Sequence, residues 1–326
     1  MGFEIKNRAD NSILHANDLS GNDFNTNKLV ENTFELNLPF ADAKMQQWHF
    51  DGIRIGYHNW HYKQCIEMDW KGDLDMVTAY FNMTGKTTIS NKHFERPFEL
   101  GKYQHNLLYS QTGEGTLKND ELEINAFMIQ FTREAFLRVT QDANDALKRF
   151  GDKVAEGKTA ALCTSSMFMN IDMLNAINAV VNCKYQHDLK KMFLLSKTME
   201  LLVLQAEAYN SVQDNNSQYL KTDYDKERII YAREYLIKHL DMPPGLTELA
   251  RVAGINEYKL KKGFKEMFGN TVFGYLSDTR LELAKNELLE KQKSASELAF
   301  ELGYSSLQHF SNAFKKKFGV SPNKLG

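Results

Sequence analysis

Two stretches in the last third of the chain repeat one another, and this repeat limits the possible fold more than any other feature. LTELARVAGINEYKLKKGFKEMFG (246–269) aligns with ASELAFELGYSSLQHFSNAFKKKFG (295–319). Glu248 matches Glu297, Leu249 matches Leu298, Ala250 matches Ala299, and Gly254 matches Gly303. After a one-residue offset, Leu260 matches Phe310, Phe264 matches Phe314, Phe268 matches Phe318, and Gly269 matches Gly319. Each copy has the makings of a helix-turn-helix. The small alanine lets a second helix cross closely. Gly254 and Gly303 fall where the first helix should end in a left-handed residue. Asn256 and Ser306 are suited to N-cap the second helix. That helix would bury the Leu/Phe positions and expose a polar, basic face, as a helix entering a DNA major groove requires.

Between the copies, residues 271–293 repeat apolar side chains at helical spacing through Phe273, Leu276, Leu283, Leu288 and Leu289. They predict one bridging helix. About 18 residues of helix span ~27 Å, which suits two reading heads set roughly one DNA turn, about 34 Å, apart. One helix–glycine–helix pattern is weak evidence. Two of them, joined by a helix, are strong.

Charge agrees with this reading. The chain carries a net −2, but residues 226–326 hold 17 Lys and Arg against 12 Asp and Glu. A basic segment on an acidic body suits a polyanion partner. No run approaches the ~18 apolar residues of a membrane span, and the N-terminus MGFEIKNRAD lacks an apolar signal core. A cytoplasmic protein is expected. The three cysteines, Cys65, Cys163 and Cys183, form no CxxC pair or zinc spacing, and such sparse use suits a reducing compartment.

Residues 1–131 are rich in β-type runs, at 46–63, 76–84, 105–110 and 124–131, punctuated by glycines. They predict a sandwich or small barrel. Residues 132–212 are helical in pattern. One helix is expected from Thr132 to near Gly151, one over 168–181 and a long one over 184–209. In the last, Leu189, Met192, Ser196, Met199, Val203 and Ala206 follow a 3-4 spacing. This seam would either pair with a second chain or pack on its own domain. The polar stretch 213–225 is expected to be a linker. The fold class is thus α+β, with a β-rich N-terminal region, a helical segment and an all-α C-terminal domain over 226–326.

At the residues of the repeat the chain resembles the AraC/XylS family of bacterial regulators. The resemblance covers about 226–326 and rests on LTELA, GFKEMFG, GYSSLQHFSNAFKKKFG and AFKKKFGVSPNKL (313–325). It implies double-stranded DNA as partner, with bases read from the second helix of each unit. Matching the motifs puts that role on Tyr258, Lys261 and Lys262, and on Gln308, Ser311 and Asn312. Lys donates to guanine, and Gln or Asn pairs with adenine. Lys259, Lys265, Lys315 and Lys316 are expected on phosphates. Leu307 and Gly263 depart from the pattern. Gly263 should weaken the first reading helix. The resemblance further implies a cupin-like N-terminal sensor barrel with helical dimerisation, a small-molecule effector, and a homodimer. It also implies transcription activation with RNA polymerase. Residues 76–137 resemble the sensor of siderophore-responsive, pyochelin-regulator-like members, with no ligand carried over.

In the β-region, Trp48, Tyr57, His58, Trp60 and Tyr62 concentrate aromatic surface with polar tips. They are expected either to line an effector pocket or to be ordinary core. His58 and His61, three apart on a strand, would face opposite ways, so no metal is expected. There is no Walker loop, nucleophile elbow or HExxH motif, and no cofactor or catalytic set is expected. A methyl-transfer enzyme tethered to DNA would need a reactive thiol, and Cys65 has only Lys63 near it.

Overall fold

The structure, a computed structural model, describes residues 3–17, 24–72, 75–91, 94, 96–111, 113–143, 145–214, 219–289 and 293–324. The chain divides into two compact units. One is Met1–Met169 with Ala176–Asp214, the other Asn170–Asn175 with Asn215–Gly326.

The strands are β1 (Phe3–Asn7), β2 (Ile13–Asn17), β3 (Val30–Asn37), β4 (Ala41–Phe50), β5 (Ile53–Tyr62), β6 (Ile66–Gly72) and β7 (Met76–Thr84). They continue as β8 (Thr87–Asn91), β9 (Phe98–Leu100), β10 (Gln104–Ser110), β11 (Gly113–Asn119) and β12 (Glu123–Thr132). Helices α1 (Arg133–Val139) and α2 (Asp145–Ala155) follow, then short strands β13 (Ala160–Ala161) and β14 (Met167–Phe168), then α3 (Ile171–Val181) and α4 (His187–Asp214).

The described strands form two sheets. One has the order β2-β1-β6-β11-β8-β9, the other β13-β10-β7-β12-β5-β4-β3, with β14 also on β10. Among the described residues no ladder joins the two into a single closed barrel. They pack face to face instead. Ala41, Tyr62 and Ile124 of one sheet meet Ile66 and Met68 of the other, and Tyr80 and Ala126 meet Leu100. The run 46–63 folds back at Asp51 (φ 50°) and Gly52 (φ 78°). Two consecutive left-handed residues match the right-handed twist of a two-residue hairpin.

The second face of the larger sheet lies under helices. Phe131 of β12 meets Phe136 of α1 edge to face, and Phe136 meets Phe150 of α2. Helix α4 buries Leu194, Leu201, Leu202, Thr198 and Gln205, and Gln205 Nε2 lies 3.1 Å from His105 Nδ1 of β10. The single helix expected over 132–151 is in fact two. Thr132 caps the first as expected. The Thr140 hydroxyl then donates to the Phe136 carbonyl (2.8 Å), and Ala143 N–H bonds back to Thr140 O. Local bonds of this kind close a turn in place of the next helical one.

The second unit holds α5 (Asp223–Lys238), α6 (Leu246–Ala253), α7 (Glu257–Phe268), α8 (Val272–Leu289), α9 (Ala295–Glu301) and α10 (Leu307–Phe318). Helices take both ends of the expected linker. Helix α4 runs on to Asp214, and α5 starts at Asp223 because the Thr222 hydroxyl accepts from Asp225 N–H. Residues 215–218 lie outside the described residues. The bridging helix forms as α8, but its buried stripe is Val272, Tyr275, Leu276, Arg280, Leu281, Ala284 and Leu288. Phe273, Leu283 and Leu289 are exposed. No described helix is long and apolar enough to cross a membrane.

Candidate nucleic-acid interface

Both turns form as their glycines require. Gly254 has φ 71° and Gly303 φ 69°. Gly303 is constrained twice, since a Cβ there would stand 2.0 Å from the Asp241 carbonyl oxygen. The Asn256 side chain accepts from Lys259 N–H at 2.8 Å and Ser306 from His309 N–H at 3.1 Å. These caps fix the first turns of α7 and α10. The inward faces are closed by ring clusters. Phe264 and Phe268 pack with Tyr275 of α8, and Phe310 and Phe314 pack with Leu281, Ala284 and Leu288.

The outward faces carry most of the expected reading residues. Tyr258, Lys261, Lys262, Gln308 and Asn312 are exposed, and Ser311 is half-buried. Lys261 pairs with Glu257 at 3.3 Å. Glu257 is held below the usual carboxylate range by the Thr247 hydroxyl first and Lys261 second. Gln308 Nε2 donates to Asn312 Oδ1 at 2.9 Å, so these two side chains orient one another. Leu307 is 45% exposed, on the surface rather than in the core. Lys265, Lys315 and Lys316 are exposed near the helix ends.

Two expectations are corrected. Lys259 was expected on phosphate, but its ammonium lies 2.7 Å from Asp225 Oδ1. Asp225 is buried, and its carboxyl is held below the ordinary range, chiefly by that bond. The pair joins α5 to α7. Gly263 was expected to weaken α7, yet it is buried against Leu220 and Ile229. It is where the chain ahead of α5 crosses the helix.

That crossing adds a residue absent from the motif. Tyr219 N–H donates to Glu266 at 3.0 Å. Its ring meets Tyr258 edge-on at 6.0 Å, and Lys262 Nζ lies 5.6 Å from its centre. Tyr219 thus stands between two candidate base-reading side chains. The only hint in the sequence is Tyr-Leu inside an otherwise polar stretch. His309, 2.7 Å from Ser305, is a second exposed residue that the motif comparison passed over.

The spacing of the two heads is held by Arg280. It is buried in α8, its Nε donates to the Leu240 carbonyl at 2.7 Å, and its guanidinium lies 5.6 Å from the Tyr304 ring. Lys317 of α10 reaches Asp278 of α8 at 2.8 Å.

The expected effector pocket does not come together as one surface. Strand alternation puts His58, Trp60 and Tyr62 on one face of β5 and Tyr57 on the other. His58, Trp60 and Tyr62 look into the space between the sheets, where Trp60 and Tyr62 stack at 5.6 Å. Tyr57 looks the other way and accepts from Asn125 at 2.9 Å. Trp48 pairs with Ile55 on that same outer face. It donates to Glu31 at 2.9 Å and lies under Lys190 of α4. Among the described residues no group of His, Cys, Asp or Glu is placed to hold a metal. Cys65 is exposed, 3.4 Å from the Asp120 carbonyl.

Comparison with known proteins follows these two halves. Residues 249–325 match the helix-turn-helix domain family, and residues 46–220, more than half of the chain, match the family of the Regulatory protein PchR N-terminal domain. Regulatory protein PchR of Pseudomonas aeruginosa is 35% identical over 113 residues, covering 35% of this chain and 38% of that protein. The probable transcriptional regulator LumQ of Photobacterium leiognathi is 32% identical over 100 residues, covering 31% and 40%. The matched segments therefore span about two fifths of these relatives. Among solved structures, the C-terminal domain of AraT, a response regulator from Geobacillus stearothermophilus, is 27% identical. It covers 32% of this chain and 84% of that one at a TM-score of 0.28.

Proposed function

This chain belongs to the AraC/XylS family of transcriptional regulators, with an N-terminal domain of the PchR type; from that premise we propose that it activates transcription as a sequence-specific, effector-responsive homodimer in the cytoplasm. One observation carries the DNA-reading part. Helices α7 and α10 are each N-capped, each buried on a Leu/Phe face, each polar outward, and joined by one continuous α8. Tyr258, Lys261 and Lys262 would read bases in one major groove, and Gln308, Ser311 and Asn312 in the next. Lys265, Lys315 and Lys316 would hold phosphates and set the salt dependence. Activation would bring contact with RNA polymerase.

The two-sheet unit is the proposed cupin-like sensor. An effector there would act by binding one arrangement of the regulator more tightly than another. The homodimer reading is supported by the outer stripe of α4, where Leu189, Met192 and Val203 are each 60–67% exposed. Large apolar side chains in a row on one helix face favour a partner helix.

Selection of DNA from a random pool by the intact protein tests the reading. Two conserved blocks about one helical turn apart are expected. Enrichment of a single block would remove one head from the proposal, and no enrichment at moderate salt, with or without cell extract, would remove the reading itself.

A further inference from the structure

Both reading helices rest on α8 through apolar side chains. Phe264 and Phe268 of α7 pack on Tyr275, and Phe310 and Phe314 of α10 pack on Leu281, Ala284 and Leu288. Burial of this kind is non-directional. It holds a helix close without fixing how far that helix has turned or slid. Hydrogen bonds do fix it, because they weaken steeply with misalignment. Asp278 lies along α8 between Tyr275 and Leu281, and it accepts a bond from each side.

One carboxylate oxygen serves the first head. Asn270, just beyond the end of α7, donates from Nδ2 to Asp278 Oδ2 at 2.8 Å. Its Oδ1 accepts from Thr271 N–H at 2.8 Å, which sets the amide the right way round. Gly274 makes room for this arrangement. A Cβ there would collide with Asn270 Oδ1 and Thr271 Oγ1. Glycine is a poor helix former. Its place in the first turn of α8 is accounted for by the Asn270 side chain that lies across it, one helical turn short of Asp278.

The other oxygen serves the second head. Lys317 of α10 donates to Asp278 Oδ1 at 2.8 Å, and Glu282, one turn further along α8, stands 3.6 Å from the same ammonium. The Lys317 and Asp278 side chains are only 20% and 28% exposed, so solvent screens the pair less than a surface one. Lys315 and Lys316 are exposed, whereas Lys317 is committed to α8. Arg280, two residues on from Asp278, makes a different tie, from α8 to the Leu240 carbonyl beyond α5.

One carboxylate thus joins the end of the first reading helix to the second reading helix. An inserted base pair turns one DNA block against the other by about 34° and moves it by ~3.4 Å. A rigid pair of heads rejects such a site, and heads free to turn on α8 accept it. We propose that Asp278 is a positioning residue that sets the separation and angle of the two reading heads, and so makes the spacing of the two DNA blocks part of the protein's specificity. This rests on the DNA-reading proposal above and adds to it the residue that measures the site.

The test uses the full-length protein and the DNA recovered by selection, as the parent site and with one base pair inserted between the blocks. The ratio of the two affinities is the spacing penalty. Asp278→Asn keeps the size of the side chain and an acceptor for Asn270, but gives up the charge that holds Lys317. It is expected to shrink the penalty about fivefold, with base preference inside each block unchanged. Lys317→Met should do the same. The double variant should do no more than either single one, because both remove one interaction. Lys316→Met is the contrast: losing a phosphate contact should weaken parent and inserted sites alike and leave the penalty at its wild-type value. An unchanged penalty in Asp278→Asn and Lys317→Met, or effects that simply add in the double variant, would overturn the proposal. Lys317→Met behaving as Lys316→Met does would make Lys317 a phosphate ligand and overturn it too. Should Asp278→Asn fail to fold, Lys317→Met breaks the same bond from α10 and is read in the same way. A wild type that recovers no two-block site sinks the DNA reading itself, and a two-block site that tolerates the inserted base pair sinks this inference alone.

Discussion

Leu220 occupies the space that a side chain on Gly263 would need, its Cδ2 lying 2.6 Å from where that Cβ would stand. Ile229 closes the other side at 3.1 Å. Helix propensity alone favours alanine over glycine by about 1 kcal/mol. Overpacking a buried contact costs about 1–3 kcal/mol, so the steric effect should win. Gly263→Ala is expected to lower stability by roughly 1 kcal/mol in urea unfolding. A more stable variant would mean that Leu220 moves aside freely.

Tyr219 stands against Tyr258 and Lys262 on the outward side of α7. Tyr219→Ala frees both side chains. Weaker base preference is expected in the block read by α7, with the block read by α10 unchanged, and Tyr219→Phe should keep the wild-type pattern. The readout is the sequence logo from DNA selection. Equal loss in both blocks would point to a general folding defect instead.

Arg280 ties α8 to the end of α5 through the Leu240 carbonyl and stacks near Tyr304 ahead of α10. Arg280→Met keeps much of the volume and loses the charged hydrogen bond, which is worth about 1.5–3 kcal/mol. Lower stability is expected, together with broader tolerance in the spacing of the two DNA blocks. Binding to sites with one base pair inserted between the blocks would report the second effect.

The exposed stripe of α4 gives a direct test of self-association. Met192→Lys with Val203→Lys places two charges where 67% and 60% of those side chains are exposed. A folded monomer is expected by analytical ultracentrifugation, with unchanged circular dichroism. An intact dimer would move the interface elsewhere.

His105 is fully buried between Phe81, stacked at 5.6 Å, and Gln205 of α4. Burial lowers its pKa from 6.5 to about 3. The unfolded chain therefore takes up a proton below pH 6.5 that the native state refuses. Stability from this group is complete above that pH and falls as the pH drops toward 3. At pH 5 the loss is about 2 kcal/mol relative to neutral pH. Denaturant titrations at pH 7 and 5 should show this loss in the wild type and a smaller one in His105→Gln.

The sequence by itself determined what depends on neighbours along the chain. Caps at Asn256 and Ser306, left-handed glycines at Gly254 and Gly303, and the Phe-rich inner faces of α7 and α10 are written within a dozen residues of one another. Their physics is local, so the two helix-turn-helix units are legible in the sequence alone. The tertiary structure decided what depends on distant partners. Lys259 matched the pattern of a phosphate contact until Asp225, 34 positions away, was seen to hold it. Gly263 looked like a weak point in α7 until Leu220 and Ile229 were found packed against it. The aromatic run of β5 fits either a pocket or ordinary core along the sequence, but the pleat sends Tyr57 and His58 to opposite faces of the sheet. Only the strand paired beside β5 shows that Trp48 of β4, opposite Ile55, shares the outer face with Tyr57. Side-chain pairing across a sheet joins residues far apart in sequence, and no pattern along a single strand records it.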